Sequence, residues 1–506
     1  PTPINGMTHY KGMEVKVGNE NFSQFWKTDY VTAVLKGHYH DGVYCSPRDN
    51  ALQRLSGKAK KIMPKEMEDM KNWKGIFHSL FDVSKIRILS KKEAINGVVG
   101  SKFIGPLDFT KSGGIGWADR GIKKCDLFVG EPGEREMIPE LNDQVNKLLL
   151  AIKRKELVRP VFSASLKAEM RAKHKACKPR LYYVGELARQ IVCRMYMATF
   201  YEQVCEHNGT GDVYVGINPL GFEWTALYAK LRSKDVKGRA DDAESWDMTF
   251  GYDFTAKFEI AVLKYLGPLA KTHLSEWVEG FVWLSRTATI PLVTWGEYLL
   301  DMILMPSGSF DTSFLNSIKN SVKERTIVNM RIKEKELDGD FDDYCSQGTY
   351  GDDLVQTTNL AEEIWEGQRA AEMSMRVTGV QLTSIFKDGR AIPKSMPLYT
   401  QTGWEENRMQ FLKRQFYVPE GTTLARPILD IDSIKKMILW YEPSKELPDK
   451  LLWKQQIETA ARELHYYGKE MCELTWPGLE LALKSIDASW TLPFTYGELE
   501  MKFITM

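Results

Sequence analysis

The sequence is poor in everything that would mark a stapled scaffold, a secreted protein or a membrane span. Seven cysteines are scattered over 506 residues, an odd number with no C-x-x-C pair and no zinc-type spacing, so neither a disulfide framework nor a structural zinc site is written here. Reduced, buried thiols in a cytosolic setting fit them best. No stretch approaches about 18 consecutive apolar residues, and the opening PTPINGMTHYKG is polar, so the expectation is a chain neither exported nor membrane-spanning by its own sequence. Pro1 in place of an initiator Met reads as a chain cut from a precursor or trimmed at its start. Excess charge is missing too. Against 68 Lys plus Arg stand 67 Asp plus Glu, a formal net charge of +1, which leaves no long-range pull on nucleic acid by the chain as a whole. Any basic surface has to be local.

What is present is an ordinary globular balance, 43% hydrophobic and 27% charged, long enough for about three domains or one subdivided fold. No repeat or low-complexity tract is visible. Residues 151–180 hold ten Lys or Arg against Glu156 and Glu169 alone, which is the local basic surface. From about 236 to 416, acidic Gly-containing turns (GRADDAESWD, MPSGSFDTS, QGTYGDDLV, FKDGRAIP) separate apolar segments, as loops that carry function on a scaffold do. The C-terminal DSIKKMILWY, KLLWKQQIETAARELHYYGKEM and GLELALKSI are apolar at three- and four-residue spacing, with Pro443, Pro448, Pro477 and Pro493 as punctuation, and predict a helical domain. ELARQIVCRMYMATFYEQVCEHNG is strongly helical text, whereas DLVQTT and RQFYV have strand composition and length. The class is mixed α and β with helix in excess.

The sharpest local feature is Tyr350-Gly351-Asp352-Asp353, where a Gly turn brings two acidic side chains to a hairpin tip. Successive strand residues face opposite sides, so a metal pair needs a third carboxylate from elsewhere, and Asp242 of Asp242-Ala-Glu-Ser-Trp-Asp247 is the candidate. Mg²⁺ takes oxygen ligands and is shared between one or two carboxylates and substrate phosphates. Two such ions about 3.5–4 Å apart clamp the attacking and leaving oxygens of an in-line displacement. A solvated turn is the competing reading of Gly-Asp-Asp. Between these motifs, Pro306-Ser307-Gly308-Ser309-Phe310-Asp311-Thr312 runs into a helix on which Thr312 and Asn316 share a face. Capping by Asp311 or Ser309 is one reading. The other is an Asn316–Asp247 pair reading a ribose hydroxyl.

In order, DxxxxD, SGxxxTxxxN and YGDD resemble motifs A, B and C of the RNA-dependent RNA polymerases of positive-strand RNA viruses. Leu166-Lys167-Ala168-Glu169-Met170-Arg171, followed by Lys173, Lys175, Lys178 and Arg180, is similar to the basic motif F of picornavirus-like enzymes, and Phe411-Leu412-Lys413-Arg414 is similar to motif E. The motifs span about 167–416, and GINPLGFEWTAL together with the SWD of motif A fits the picornavirus, calicivirus and insect picorna-like group. The resemblance implies an α+β fold, a closed right hand with fingers, a palm of antiparallel sheet with helices, and a helical thumb. The implied division is fingers 1–195, palm 196–254, fingers 255–300, palm 301–416 and thumb 417–506.

It also implies RNA-templated RNA synthesis with two Mg²⁺ ions, Mn²⁺ substituting, and release of pyrophosphate. Asp242 and Asp352 would ligate the metals with Asp353 in support, and Asp247 and Asn316 would read the ribose. Ser307 and Gly308 would form a loop tracking template and nucleotide, with Thr312 positioning the ribose pair. Lys167, Arg171, Lys175 and Arg180 would line the nucleotide tunnel, Leu412, Lys413 and Arg414 would grip the primer, and Ser112 and Gly113 would meet the template. Lys387 of FKDG would protonate the leaving group. Implied partners are template and primer RNA, nucleoside triphosphates, a genome-linked protein primer and other viral replication proteins, in host cytoplasm at replication complexes. The sequence departs from the family in places: Ala168 stands where an acidic residue is common, Thr110–Trp117 lacks the usual proline, and Lys387 follows a shortened spacing.

A reverse transcriptase shares the Tyr-x-Asp-Asp turn but normally carries an aromatic residue at the position of Asp247, and a non-catalytic RNA-binding scaffold has no need of three acidic turns. His38 and His40 alternate without further metal ligands nearby, Trp224, Trp246 and Trp404 read as packing aromatics, and Cys345 reads as a buried thiol.

Overall fold

The computed structural model describes residues 11–12, 30–33, 35–40, 43–47, 50, 62–206, 209–244, 246, 252–267, 274–295, 298–301, 306–386, 389–444 and 447–505. Asp247 and Lys387 lie outside the described residues.

Along the chain, β1 (Tyr30–Thr32) is followed by β2 (Val161–Leu166), β3 (Met170–Ala172), β4 (Leu181–Gly185) and the helix α1 (Leu187–Cys205). The alternation in VFSASL turns Phe162 and Ala164 inward, where they meet Tyr183, Val293 and Trp295. β2 pairs antiparallel with β4, Phe162 opposite Gly185 and Leu166 opposite Leu181. β1 pairs antiparallel with β3, Tyr30 opposite Ala172 and Thr32 opposite Met170. Helix α1 is buried on nearly every face, the pattern of a helix through the middle of a large core. It passes through residues 195 and 196 without interruption.

Next come α2 (Phe222–Arg232), β5 (Lys237–Arg239), β6 (Asp241–Ala243), α3 (Tyr252–Leu266) and α4 (Ser275–Ala288). The hairpin β7 (Leu292–Trp295) and β8 (Tyr298–Asp301) then returns to β2, with β7 parallel to it. After the long helix α5 (Thr312–Glu334), the hairpin β9 (Cys345–Tyr350) and β10 (Asp353–Thr358) forms where YGDD predicts it, Tyr350 opposite Asp353. Helix α6 (Gly367–Thr378), β11 (Leu382–Ser384) and β12 (Met396–Pro397) come after it. The central sheet has the order β9-β10-β5-β12, and β6 pairs with β11, Asp242 opposite Thr383. A Cβ on Gly238 of β5 would stand 1.9 Å from the Gln356 carbonyl oxygen, so glycine allows this ladder to close.

β13 (Arg414–Tyr417) and β14 (Arg426–Leu429) lead into α7 (Ile431–Leu439), α8 (Asp449–His465), α9 (Lys469–Ile486) and α10 (Tyr496–Thr505). This is the expected helical region, with its own core around Ile434, Ile457, Leu464, Leu479 and Leu483. Pro477 corrects the punctuation reading: it sits inside α9. A helix interior forfeits one backbone hydrogen bond at proline, yet here Cys472, Thr475, Gly478 and Leu479 are buried around it and Trp476 Nε1 donates to the Ala461 carbonyl at 3.2 Å. No helix of the described residues is long and apolar enough to cross a membrane.

Candidate active site

The acidic hairpin tip is shaped by one residue. Gly351 has φ +63°, while Asp352 keeps a negative φ, so the left-handed torsion falls only on the first of two loop residues, as in a type II′ turn. No atom lies within 4 Å of where a Gly351 Cβ would be, so the glycine is required by torsion rather than by space. Asp352 is exposed at the tip, while Asp353 and Asp242 are half-buried. Strand β6 lies against β10, which brings Asp242 to the strand neighbouring Asp353. Burial and the Asp353 charge both raise the Tyr350 phenol.

Helix α5 supports this tip from beneath. Ser317 Oγ accepts the Gly351 N–H at 2.7 Å, and Asn320 Nδ2 donates toward the carbonyls of Gly351, Asp352 and Asp353 at 3.3, 3.0 and 3.3 Å. Deeper, the carboxylate of Asp212 accepts from Arg325 Nε at 2.6 Å, Gln347 Nε2 at 2.7 Å and Ser321 Oγ at 2.8 Å. Its backbone carbonyl takes the Thr349 N–H at 2.8 Å. Burial pushes Asp212 up, but the Arg325 and Lys230 charges win and hold it well below the ordinary carboxylate range. A charge this deep persists only when paired and hydrogen-bonded, and here the partners come from both hairpin and helix.

The basic loop is organised by Glu169. Its buried carboxylate accepts from Arg180 Nε at 2.7 Å, with Arg180 Nη2 a second donor, and from Arg171 Nη1 at 3.1 Å, with Lys167 Nζ at 3.6 Å. Burial raises the Glu169 carboxyl, but these cations outweigh it and the net shift is downward. Arg180 is raised chiefly by its bond to Glu169, and the Asp352 charge also contributes, so the loop's main cation sits within electrostatic reach of the acidic tip. Lys167 is exposed and Lys175 half-buried.

Three loops converge on β4. The Ser307 hydroxyl accepts the Tyr183 N–H at 3.3 Å, and a Cβ on Gly308 would lie 1.9 Å from the Tyr183 carbonyl oxygen. Gly114, at φ +92°, would place a Cβ 2.6 Å from the Gly185 carbonyl oxygen, and the Gly114 N–H donates to Ser112 Oγ at 3.2 Å, so the Ser112-Gly113 segment docks at the strand's end. Lys167 N donates to the Arg180 carbonyl at 2.8 Å, next to its start. Thr312 Oγ1 donates to the carbonyls of Pro306 and Ser309 at 2.8 and 2.9 Å, so it secures the loop while Asn316 stands one turn later. Asp311 is the residue before the helix but its side chain makes no cap; it accepts the Ser309 hydroxyl at 2.5 Å instead. Asn316 is buried, and its Oδ1 has no hydrogen-bond partner among the described residues.

One expectation needs correction. Leu412 and Lys413 form a tight turn with positive φ values of 54° and 59°, but the Arg414 side chain is buried and already engaged. Its guanidinium is buried in a two-pronged pair with Glu463 of α8 at 2.7 and 2.8 Å, because the ladder of β13 with β14 turns it toward the helices. Among the described residues no group of three or more His, Cys, Asp or Glu is gathered to hold a metal. The donor set still fits Mg²⁺, which needs only one or two carboxylates beside water and phosphate. Glu169, Asp212, Ser317, Asn320 and Arg325 were absent from the expected set. Of these, only Glu169 left a trace, as one of two acids in a basic run. Trp224 and Trp246 are buried in the core, and Cys345 is buried with its thiol pushed up to about 12.

A family model described as viral RNA-dependent RNA polymerase matches residues 26–475. The chain is 26% identical over 414 residues to a replicase polyprotein of Drosophila C virus (strain EB), covering 76% of this chain and 22% of that one. It is 24% identical over 398 residues to an RNA1 polyprotein of Arabis mosaic virus (isolate NW), covering 77% and 17%. The chain thus spans about a fifth of the length of the relatives it matches. Among solved structures, the Sicinivirus 3Dpol RNA dependent RNA polymerase superposes with a TM-score of 0.77 at 18% identity, covering 99% of this chain and 96% of that one, so the mixed helix-and-sheet fold is that of a right-hand polymerase.

Proposed function

The chain belongs to the viral RNA-dependent RNA polymerases, and from that premise we propose that it copies an RNA template by adding nucleoside monophosphates to a primer 3′-OH, releasing pyrophosphate, in the replication of a positive-strand RNA virus. The observation that carries the reading is the acidic hairpin tip of Asp352 and Asp353, turned at Gly351 and held from helix α5 by Ser317 and Asn320, with the Glu169-braced cations of the basic loop beside it in the same fold, the two kinds of charge that transfer of a triphosphate onto a hydroxyl demands. Asp242 and Asp352, with Asp353, would hold two Mg²⁺ ions, which when bound neutralise the triphosphate and ease loss of the 3′-OH proton. Arg180, Arg171, Lys167 and Lys175 would bind triphosphate oxygens through charge-assisted bonds, with Glu169 fixing three of them in direction. The Asn316 Oδ1, without a hydrogen-bond partner among the described residues, suits a ribose 2′-OH, which can donate to it, and Asp247 would complete that pair. Ser307 and Gly308 would follow the template from β4, Lys413 would meet the primer, and Lys387 would protonate the departing pyrophosphate.

The division into fingers, palm and thumb, a genome-linked protein primer, other replication proteins as partners, and a host-cytoplasmic replication complex all belong to this reading. Primer extension on a defined RNA hairpin tests it. Asp352→Asn should abolish Mg²⁺-dependent incorporation and leave RNA binding within about twofold; a variant that still incorporates at near wild-type rate refutes the assignment.

A further inference from the structure

Helix α5 carries Asn316 and Asn320 one turn apart on the same face. The first is buried beside the nucleotide loop, whereas the second reaches the acidic turn. An Asn amide has two N–H groups, and here three successive carbonyls, from Gly351 to Asp353, share them. The Asn320 Oδ1 has no hydrogen-bond partner among the described residues, so what this side chain holds is the turn. Ser317 completes the grip, accepting the Gly351 N–H at 2.7 Å while its own proton goes to the Ser313 carbonyl at 2.7 Å. The space beside Gly351 itself is open, so the grip on the turn glycine is made through its backbone.

We propose that Ser317 and Asn320 are positioning residues that fix the direction of the Asp352 carboxylate, and that the single helical turn joining Asn316 to Asn320 couples ribose choice to that direction. The inference rests on the polymerase reading. Both act through the backbone of the turn. A carboxylate displaced by about 1 Å is enough to cost on the order of 10²-fold in rate, whereas the hairpin itself, held independently through Asp212, stays folded.

Asn320→Leu removes the donor while keeping the branched outline and heavy-atom count of the side chain, and Ser317→Ala removes one small acceptor. Three quantities are read on the full chain with primed RNA: Mn²⁺ affinity by electron paramagnetic resonance in the absence of nucleotide, kcat and KM for single-nucleotide addition, and the preference for a ribo- over a deoxyribonucleotide. Expected are Mn²⁺ binding weakened about fivefold or more, kcat lowered about tenfold to a hundredfold with KM within about twofold, and a narrowed sugar preference. Should Asn320→Leu fail to fold, Ser317→Ala decides alone. Wild-type protein that adds no nucleotide overturns the polymerase reading and this inference with it. An active wild type whose Ser317→Ala form keeps its Mn²⁺ affinity, kcat and sugar preference overturns this inference only.

Discussion

Substituting Gly308 by Ala puts one methyl group where the structure has a backbone. Its Cβ would stand 1.9 Å from the Tyr183 carbonyl oxygen and 2.9 Å from the carbonyl carbon, while ordinary contact begins at 3.4 Å, so something has to yield by 3.4 − 1.9 = 1.5 Å. The strand is the stiffer side. Tyr183 is laddered opposite Ala164 and its ring is buried in the core, whereas Ser307 and Gly308 are exposed. The loop therefore moves, and the Ser307 bond to Tyr183 N goes with it. A shift beyond about 1 Å near reacting groups costs on the order of 10²-fold, or about 2.7 kcal/mol of activation free energy. Global stability should change by no more than about 1 kcal/mol, because an exposed loop contributes little to the fold. Single-turnover addition of one nucleotide to a primed hairpin, beside a thermal melt, reads both quantities. Gly238→Ala is the control: it meets the Gln356 carbonyl oxygen at the same 1.9 Å, but inside the central sheet, so it should lower the melting temperature rather than the rate per folded molecule. A Gly308→Ala enzyme within about threefold of wild type, or a melt lowered as far as that of Gly238→Ala, refutes the reasoning.

Glu169→Gln keeps the shape of the loop brace and removes its charge. With Arg180 more than half exposed, the loss is discounted for solvent to about 1 kcal/mol, seen as a rise of about fivefold in KM for nucleotide, which steady-state kinetics would detect. Lys319 is fully buried and burial lowers its amine to about 8 from 10.5, with Asp311 opposing in part. The unfolded chain holds this proton more tightly, so the penalty is present below pH 8 and is relieved as pH rises toward 10.5. Lys319→Met should thus stabilise the fold by up to about 3 kcal/mol at pH 7 and flatten that rise, measurable by urea unfolding at pH 7, 8 and 9. Glu463→Gln leaves the buried Arg414 uncompensated and should destabilise by about 3–5 kcal/mol. Its rate per folded molecule should be unchanged, checked by denaturant titration alongside primer extension.

What could be read without coordinates was whatever the chain writes locally. The Gly351 turn, the β-branched run after it and the three- and four-residue spacing of the C-terminal helices each sit within a few residues, and each formed where expected. Pro477 was misread because punctuation is a local rule that tertiary packing overrode. Arg414 was misread for the opposite reason: its partner lies 49 residues away on another element. The same distance in sequence hid Asp212, whose bonds to Arg325 and Gln347 span 113 and 135 residues, and Asn320, whose bonds reach 31 to 33 residues ahead. A polar residue in a helix carries no mark of which carbonyl it will meet. Expectations on Asp247 and Lys387 lie outside the described residues.

Strand β4 meets three loop segments through main-chain atoms: the Tyr183 and Gly185 carbonyls receive two glycines from separate loops, and the Arg180 carbonyl anchors a third segment. Such a strand works as a ruler whose marks are peptide units and not side chains. Replacing the exposed Tyr182 leaves every mark in place. Adding or deleting a single residue there slides all of them together by about 3.3 Å and inverts the facing of every later residue in the strand, so in this short stretch length is far less free to drift than identity.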